Sequence, residues 1–308
     1  MRAVQIPRPG GPEVLEIGDV ALPEPGAGEV LIRMAAATVN PADLVLRARG
    51  GGDAVPAPWT PGMEIAGSIE SVGEGTTLRT GQRVFGVVNA QGPGGGAQAE
   101  LVVLPAGAVV ATPDNISDVG ASTLPMNGLT ALQALHRLHL APGQTLGVLG
   151  SAGAVGQYAI QLGVAAGLHV VADAKPEDED LVRGFGAHDV VPRSKNIAAT
   201  FRTVVPGGTD GLIDAAVVDA LALGAIKDGG ALATLRRWNG PTERGIRIEP
   251  VWVPDEIGNT AWLEQLADHA QAGRLTPRIA AVLPLHQIQD AHQRLEAGGV
   301  RGRIVLVP

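Results

Sequence analysis

Short apolar runs, broken by glycine and proline, fill the chain up to about residue 110. The runs "AVQI", "VLEIGDV", "EVLIRMAAATV", "IAGSIESVG", "QRVFGVV" and "AQAELVVLP" have strand length and strand composition. A series of this kind predicts an antiparallel, barrel-like module. The loop "GGGDAVPAPWTPG" and the turn "NAQGPGGG" interrupt it, and the expectation for "GPGGG" is a flexible hairpin. At Asp118 the texture changes. "SDVGASTLPMNGLTALQALHRL" predicts two helical stretches, the first capped by Ser117 and the second set off by Pro125.

Strands and helices then alternate. "TLGVLG" reads as a strand, "AVGQYAIQLGVAAG" as a helix and "HVVADA" as a strand. "PEDEDLVRGFG" follows as a helix with an acidic first turn and Gly186 near its end. Further on, "DVVPR", "NIAATFRTVVPGG", "DGLIDAA", "VVDALALGAIKDGG" and "ALATLRRW" continue the alternation, which predicts a parallel, doubly wound sheet. "ERGIRIEPVWVP" adds a strand, "TAWLEQLADHAQAG" an amphipathic helix, and the tail from residue 279 reads strand, helix, strand.

Composition narrows the chemistry. The 308 residues contain no cysteine, which removes disulfides, thiol nucleophiles and thiolate zinc sites. A net charge of −8 and 3% aromatic residues count against nucleic acid as a partner. No apolar run approaches the ~20 residues of a membrane span, and the start "MRAVQIPRPGGPEVLEI" has no secretory pattern. The expectation is a soluble, cytoplasmic protein with no membrane partner.

The richest segment is "TLGVLGSAGAVGQYAIQL". Gly150, Gly153 and Gly156 stand three apart between a predicted buried strand and a helix. A dinucleotide pyrophosphate needs close backbone approach and the free N–H groups of a helix start. The turn Gly150, Ser151, Ala152, Gly153, Ala154, Val155 and Gly156 is therefore the expected dinucleotide site. The next strand ends in Asp173, the residue type that accepts from a ribose 2′-hydroxyl. A 2′-phosphate there meets a repulsion of roughly 3 kcal/mol per unit charge at ~5 Å and an effective dielectric of about 20. Lys175 and Arg193 could reverse that balance, so these residues leave NADH and NADPH both open.

The ordered set "VNPADLVLRARG", "PGMEIAGSIESVG", "GQRVFG", "LPMNGLTALQAL", "GSAGAVGQYAIQL" and "AHQRLEAGGVRGRIVLV" resembles the zinc-independent quinone oxidoreductases of the medium-chain dehydrogenase/reductase superfamily. The resemblance spans nearly the whole chain. It implies an α/β fold: a GroES-like β-barrel catalytic domain over 1–116 and 275–308, and a Rossmann domain over 117–274, with the nicotinamide held between them. It also answers for "PGMEIAG": zinc-dependent relatives carry a histidine ligand where Met63 stands, and a thioether is a poor zinc ligand. No metal is expected. Glu64 is left with a structural or electrostatic duty, and Gly62 and Gly67 with shaping the turn.

By the same resemblance the activity is hydride transfer from NADPH, with NADH second, to a quinone or to the β-carbon of an enone. Such an acceptor stabilises the developing charge by conjugation and needs no Lewis acid. Asn40 and Asp43 match positions lining the nicotinamide cleft and are the expected catalytic residues; Arg47 is a weaker candidate. Asn40, Asn127 and Thr130 are expected at the nicotinamide end. Relatives often carry a tyrosine in the loop that here reads "RARGGGDAVPAPW"; its absence leaves water as proton source and Trp59 as a pocket wall. Tyr158, on the helix after the glycine turn, is not placed to donate. Two other functions stay open: a trans-acting enoyl reductase, docking a carrier protein through Arg236, Arg237, Arg244 and Arg247, and a non-catalytic NADPH-binding protein. A homodimer is expected through the strand at 246–253, at the sheet edge.

Overall fold

The computed structural model describes residues 1–51, 55–92 and 94–308. The loop at 50–62 includes residues 52–54, and the expected hairpin at 92–96 includes Pro93; these four lie outside the described residues. The chain divides into two compact units, Met1–Met126 with Glu256–Pro308, and Asn127–Asp255.

The first unit holds strands β1 (Arg2–Gln5), β2 (Glu16–Asp19), β3 (Glu29–Thr38), β4 (Glu64–Val72), β5 (Arg83–Val87), β6 (Leu101–Pro105) and β7 (Val109–Ala111). Helix α1 (Pro41–Arg49) separates β3 from β4, and the short α2 (Asp118–Ala121) follows β7. β3 is the hub. It pairs antiparallel with β4 along one edge, and shares the other between β6 at its start and a late strand at its end. Fully paired, β3 buries both faces, so its sequence "EVLIRMAAAT" is almost continuously apolar rather than alternating. Gly67 sits where β4 crosses β3 at a register shift; a Cβ there would lie 2.0 Å from the Arg33 carbonyl oxygen. Only glycine permits that approach.

Helix α3 (Pro125–Leu138) leads into the second unit. There β8 (Thr145–Leu149), α4 (Ala154–Ala165), β9 (His169–Ala174), α5 (Glu179–Gly184), β10 (Asp189–Pro192), α6 (Ile197–Arg202), β11 (Thr209–Asp214), β12 (Ile226–Thr234) and β13 (Arg247–Pro250) follow in turn. The six strands form one parallel sheet in the order β10-β9-β8-β11-β12-β13, reversing direction of growth between β8 and β11. This is the doubly wound Rossmann arrangement. "ALALGA", before β12, winds as a 3-10 turn rather than an α-helix.

The remainder, α7 (Thr260–Gln271), β14 (Ile279–Pro284), α8 (Ile288–Ala297) and β15 (Arg303–Val307), returns to the first unit. β15 lies between β14, parallel to it, and β3, antiparallel. The compact units divide at 126/127 and 255/256, and the domain junctions expected from the sequence are 116/117 and 274/275. Packing of α2 and α7 accounts for the difference. Asp118 at the start of α2 pairs with Arg83 at 2.8 Å, and Ser117 caps the helix by accepting from the Gly120 N–H. In α7, Thr260 donates to the Gly107 carbonyl at 2.8 Å and Asn115 donates to the Gln271 carbonyl at 3.1 Å. Both helices are thus tied to the first unit, α2 to β5 and α7 to the segments flanking β7.

Candidate functional site

In the second unit β8 runs straight into the glycine turn. Gly150 has φ +72°, a left-handed conformation that side chains resist. Gly153 is the N-cap of α4, and no side chain caps that helix, so the first-turn N–H groups of Ala154, Val155 and Gly156 keep their capacity to donate. A Cβ on Gly156 would lie 2.4 Å from the Gly150 oxygen and 2.7 Å from Ser151 Cα. Helix and turn therefore touch backbone to backbone. An uncapped helix start against a glycine turn, at the carboxyl ends of β8 and β11 where the sheet reverses, has the geometry that binding of a dinucleotide's pyrophosphate requires.

A cavity of about 110 Å³ opens beside this turn, lined by Leu149, Asp173, Arg193, Ile197, Ala216 and Val218 among others. Asp173 does not stand free to meet a ribose. Its Oδ1 accepts from the N–H groups of Gly150 at 2.8 Å and Ser151 at 3.2 Å, and its Oδ2 accepts from Arg193 Nε at 2.7 Å. The parallel register sets Val191 beside Asp173, which brings Arg193 within reach. Asp173 is buried, while the Arg193 side chain keeps 36% of its surface exposed at the cavity. Lys175 is exposed and 3.7 Å from Glu177, not paired to Asp173. On α3, Asn127 is buried with Nδ2 unpartnered among the described residues, and Thr130 is half-buried. That orphaned donor is consistent with a ligand oxygen.

A second polar cluster is buried in the first unit. Asn40 is the N-cap of α1, and Asp43 reaches back to its N–H at 2.7 Å, the acidic arm of a capping box. The other Asp43 oxygen accepts from the Gly62 N–H at 2.8 Å. Gly62 itself has φ +106°. Burial pushes the Asp43 carboxyl up to about 6, against the two N–H bonds that pull it down. Next to it, Arg303 Nη2 donates to Thr38 Oγ1 at 2.7 Å, to Asn40 Oδ1 at 2.8 Å, and to Glu64 Oε1. Glu64 Oε2 accepts from the Met126 N–H at 2.8 Å. Arg303 Nε finds no partner among the described residues.

Of the two expected catalytic residues, Asp43 holds the main chain at the start of α1 and at Gly62. The Asn40 side chain instead joins the polar cluster, donating to Thr38 Oγ1 and Glu64 Oε1 at 3.2 Å each and accepting from Arg303, and Glu64 is the counter-ion of Arg303. Sequence reasoning missed Arg303. A partial signal was present: Glu64 precedes the apolar Ile65 and Ala66, where a buried carboxylate needs a counter-ion, and "RIVLV" offers an arginine at a strand start. Met63 packs against the first unit's core. Arg47 is buried away from the cluster, bonded to the Gly10 carbonyl, His292 Nδ1 and Glu296. Trp59 donates to the Val55 carbonyl at 2.7 Å and Tyr158 is buried in α4. Arg244 and Arg247 are engaged by Asp228 and Glu249 at 2.9 and 2.7 Å, and Arg237 stacks on Trp252 at 4.2 Å.

Residues 26–114 match the alcohol dehydrogenase GroES-like domain, and residues 185–306 match the zinc-binding dehydrogenase family. The chain belongs to the medium-chain dehydrogenase/reductase superfamily, among its quinone oxidoreductase-like members, and is an oxidoreductase. It is 30% identical to a quinone oxidoreductase of Lama guanicoe, covering 100% of this chain and 97% of that protein. Against an Arabidopsis thaliana chloroplastic NADPH-dependent alkenal/one oxidoreductase it is 29% identical, covering 97% of this chain and 77% of the relative. An alcohol dehydrogenase superfamily protein from Novosphingobium aromaticivorans superposes with a TM-score of 0.91 at 25% identity, covering 100% and 99% of the two chains. The donor set does not fit the zinc of the second family's description. With no cysteine in the sequence and a methionine at 63, no group of three or more His, Asp or Glu among the described residues could hold a metal.

Proposed function

We propose that this oxidoreductase transfers hydride from NADPH to a quinone or an α,β-unsaturated carbonyl, as a soluble cytoplasmic homodimer without a catalytic metal. A reduced nicotinamide, when bound, supplies hydride to a conjugated acceptor whose oxygen delocalises the arriving charge. The chain's own residues bind and orient. Ala154, Val155 and Gly156 offer main-chain N–H groups to the pyrophosphate, with Ser151 and Ala152 shaping the turn. Asn127 and Thr130 serve the nicotinamide end. Asn40 and Asp43 act by positioning, since both Asp43 oxygens are committed to main-chain N–H groups. Quinone and enone specificity rests on the names of the relatives and on a donor set that offers no Lewis acid.

The observation that carries NADPH over NADH is the state of Asp173. Its oxygens are already taken by the glycine turn and Arg193, so it offers little to a ribose hydroxyl, and its charge is balanced. Arg193 then presents a guanidinium at the cavity mouth, suited to a 2′-phosphate, with Lys175 nearby in sequence. The test is initial-rate oxidation of NADPH and NADH with a benzoquinone and with a short 2-enal. NADPH should be preferred, and Arg193→Met should raise its KM about tenfold with little effect on NADH, a loss of about 1.4 kcal/mol. Equal or better turnover with NADH, unchanged in the variant, would return the 2′-position to Asp173. For assembly, β13 is the edge strand of the parallel sheet, and Trp252 just beyond it is 38% exposed. A monomeric mass in light scattering at micromolar concentration would count against the dimer.

A further inference from the structure

The turn after β11, residues 215–219, is held in a conformation its side chains oppose. Val217 has φ +57° and Asp219 φ +54°. Left-handed backbone crowds Cβ against the following carbonyl, and a β-branched residue tolerates it least. Among the described residues Val217 is the one β-branched side chain at positive φ. One buried group holds the turn in place. Asp214, at the end of β11 and 1% exposed, accepts from the Ala216 N–H at 3.1 Å through Oδ1. Through Oδ2 it accepts from the N–H groups of Val218 and Asp219, each at 2.7 Å. Three main-chain donors converge on one carboxylate, each bond strengthened by its charge. Burial pushes that carboxyl's pKa up, and the three donors pull against it.

The turn is also where the dinucleotide cradle is built. The Ala215 N–H donates to the Leu149 carbonyl at 3.1 Å, and a Cβ on Gly150 would lie 2.7 Å from the Ala215 carbonyl carbon. Ala216 and Val218 line the same cavity as Asp173 and Arg193.

We infer that Asp214 is a positioning residue for the adenosine half of the dinucleotide. Its carboxylate holds 215–219 in a strained form that walls the cavity. This rests on the dinucleotide reading of the glycine turn. The strain makes the claim specific, because Asp214 and Val217 must be coupled. Glycine adopts the left-handed conformation without steric cost, so Val217→Gly relieves the larger share of the strain the carboxylate opposes, leaving Asp219 as the other left-handed residue. Asp214→Asn turns an NH₂ toward main-chain donors and cannot accept all three bonds.

The experiment measures dissociation constants of NADPH and of adenosine 2′,5′-bisphosphate by calorimetry on four proteins: wild type, D214N, V217G and the double variant. D214N should weaken both ligands about tenfold, V217G should change neither, and the double variant should recover most of the loss. A merely structural Asp214 would lower the melting temperature of D214N and leave both constants unchanged, which would overturn the inference. So would a double variant no better than D214N. If D214N does not fold, hydrogen exchange on the wild type decides: the amides of Ala216, Val218 and Asp219 should be protected, and exchange at open-loop rates would overturn the assignment. Failure of the wild type to bind any dinucleotide would instead sink the proposed function.

Discussion

Gly156→Ala adds one methyl group at the tightest point of the glycine turn. The new carbon would lie 2.4 Å from the Gly150 oxygen, 2.7 Å from Ser151 Cα and 2.9 Å from the Gly150 carbonyl carbon, all of them backbone atoms. No side chain can rotate aside, so the start of α4 must lift by roughly 0.6 Å to restore a 3.0 Å contact. Overpacking of this kind costs about 1–3 kcal/mol, and alanine's better helix propensity returns up to about 1. The net expected loss is about 1–2 kcal/mol in urea unfolding. On the proposed function the larger effect falls on binding, because the same lift displaces the N–H groups assigned there to the pyrophosphate. A misplacement approaching 1 Å can cost on the order of a hundredfold in a preorganised site, so NADPH affinity should fall at least tenfold. Gly184→Ala is the matched control. That glycine lies in α5 with nothing within 4 Å of an added carbon, so the substitution should leave NADPH binding alone and stabilise by about 0.5–1 kcal/mol. A G156A protein that binds NADPH as tightly as wild type would refute the backbone-contact account of the turn.

Two further outcomes follow from the first unit. Arg303→Met leaves Glu64 buried without its counter-ion and should cost about 3–5 kcal/mol by urea unfolding; adding E64Q should restore part of it. The remaining one concerns acid. His292 is fully buried in α8, its pKa lowered to about 3 by burial and by Arg47. The unfolded chain takes up that proton near 6.5 and the folded one does not. Stability from His292 is therefore full above pH 6.5 and is lost as pH falls toward 3, at up to about 1.4 kcal/mol per pH unit. Asp43 has the opposite sign. With its carboxyl raised to about 6, the folded state takes up the proton first, so its contribution grows as pH falls from 6 toward about 4. His292→Gln keeps an acceptor for Arg47 and removes the titration. The stability gap between variant and wild type should widen in the variant's favour as pH falls from 6.5 to 4, and a constant gap in urea midpoints would contradict the burial argument.

The parts of the molecule written as local pattern were legible in the sequence. The β8–glycine turn–α4 segment needs a strand, a tight turn and a helix in immediate succession, and each leaves its own mark in "TLGVLGSAGAVGQYAIQL". Ser117 as a cap and Pro125 as a helix start were legible for the same reason. Asp173 was legible in place but not in partner. A carboxylate at the end of the second strand reads as a ribose acceptor. Its bond to Arg193, 20 residues on, depends on the register of β9 against β10, which no local pattern encodes. Distance in sequence hid the Arg303–Glu64 pair even more thoroughly, since 239 residues separate its members. The compact units divide at other positions than the expected domain junctions because α2 and α7 look like their helical neighbours. Only their bonds to Arg83, Gly107 and Asn115 assign them to the β-rich unit.

The place of β15 has a consequence for synthesis on the ribosome. Residues 303–307 do not decorate the first unit; they are threaded between β14 and β3, and they bring Arg303 to Glu64. Translation finishes the second unit at Asp255 while the first still lacks an interior strand and the counter-ion of a buried glutamate. The nascent chain therefore emerges with its parallel-sheet unit able to fold and its β-rich unit waiting, an apolar strand edge on β3 open to misplaced partners. A stop codon a few positions early would leave that vacancy permanent, and the quality-control machinery of the cell, rather than the active site, would register the lesion first.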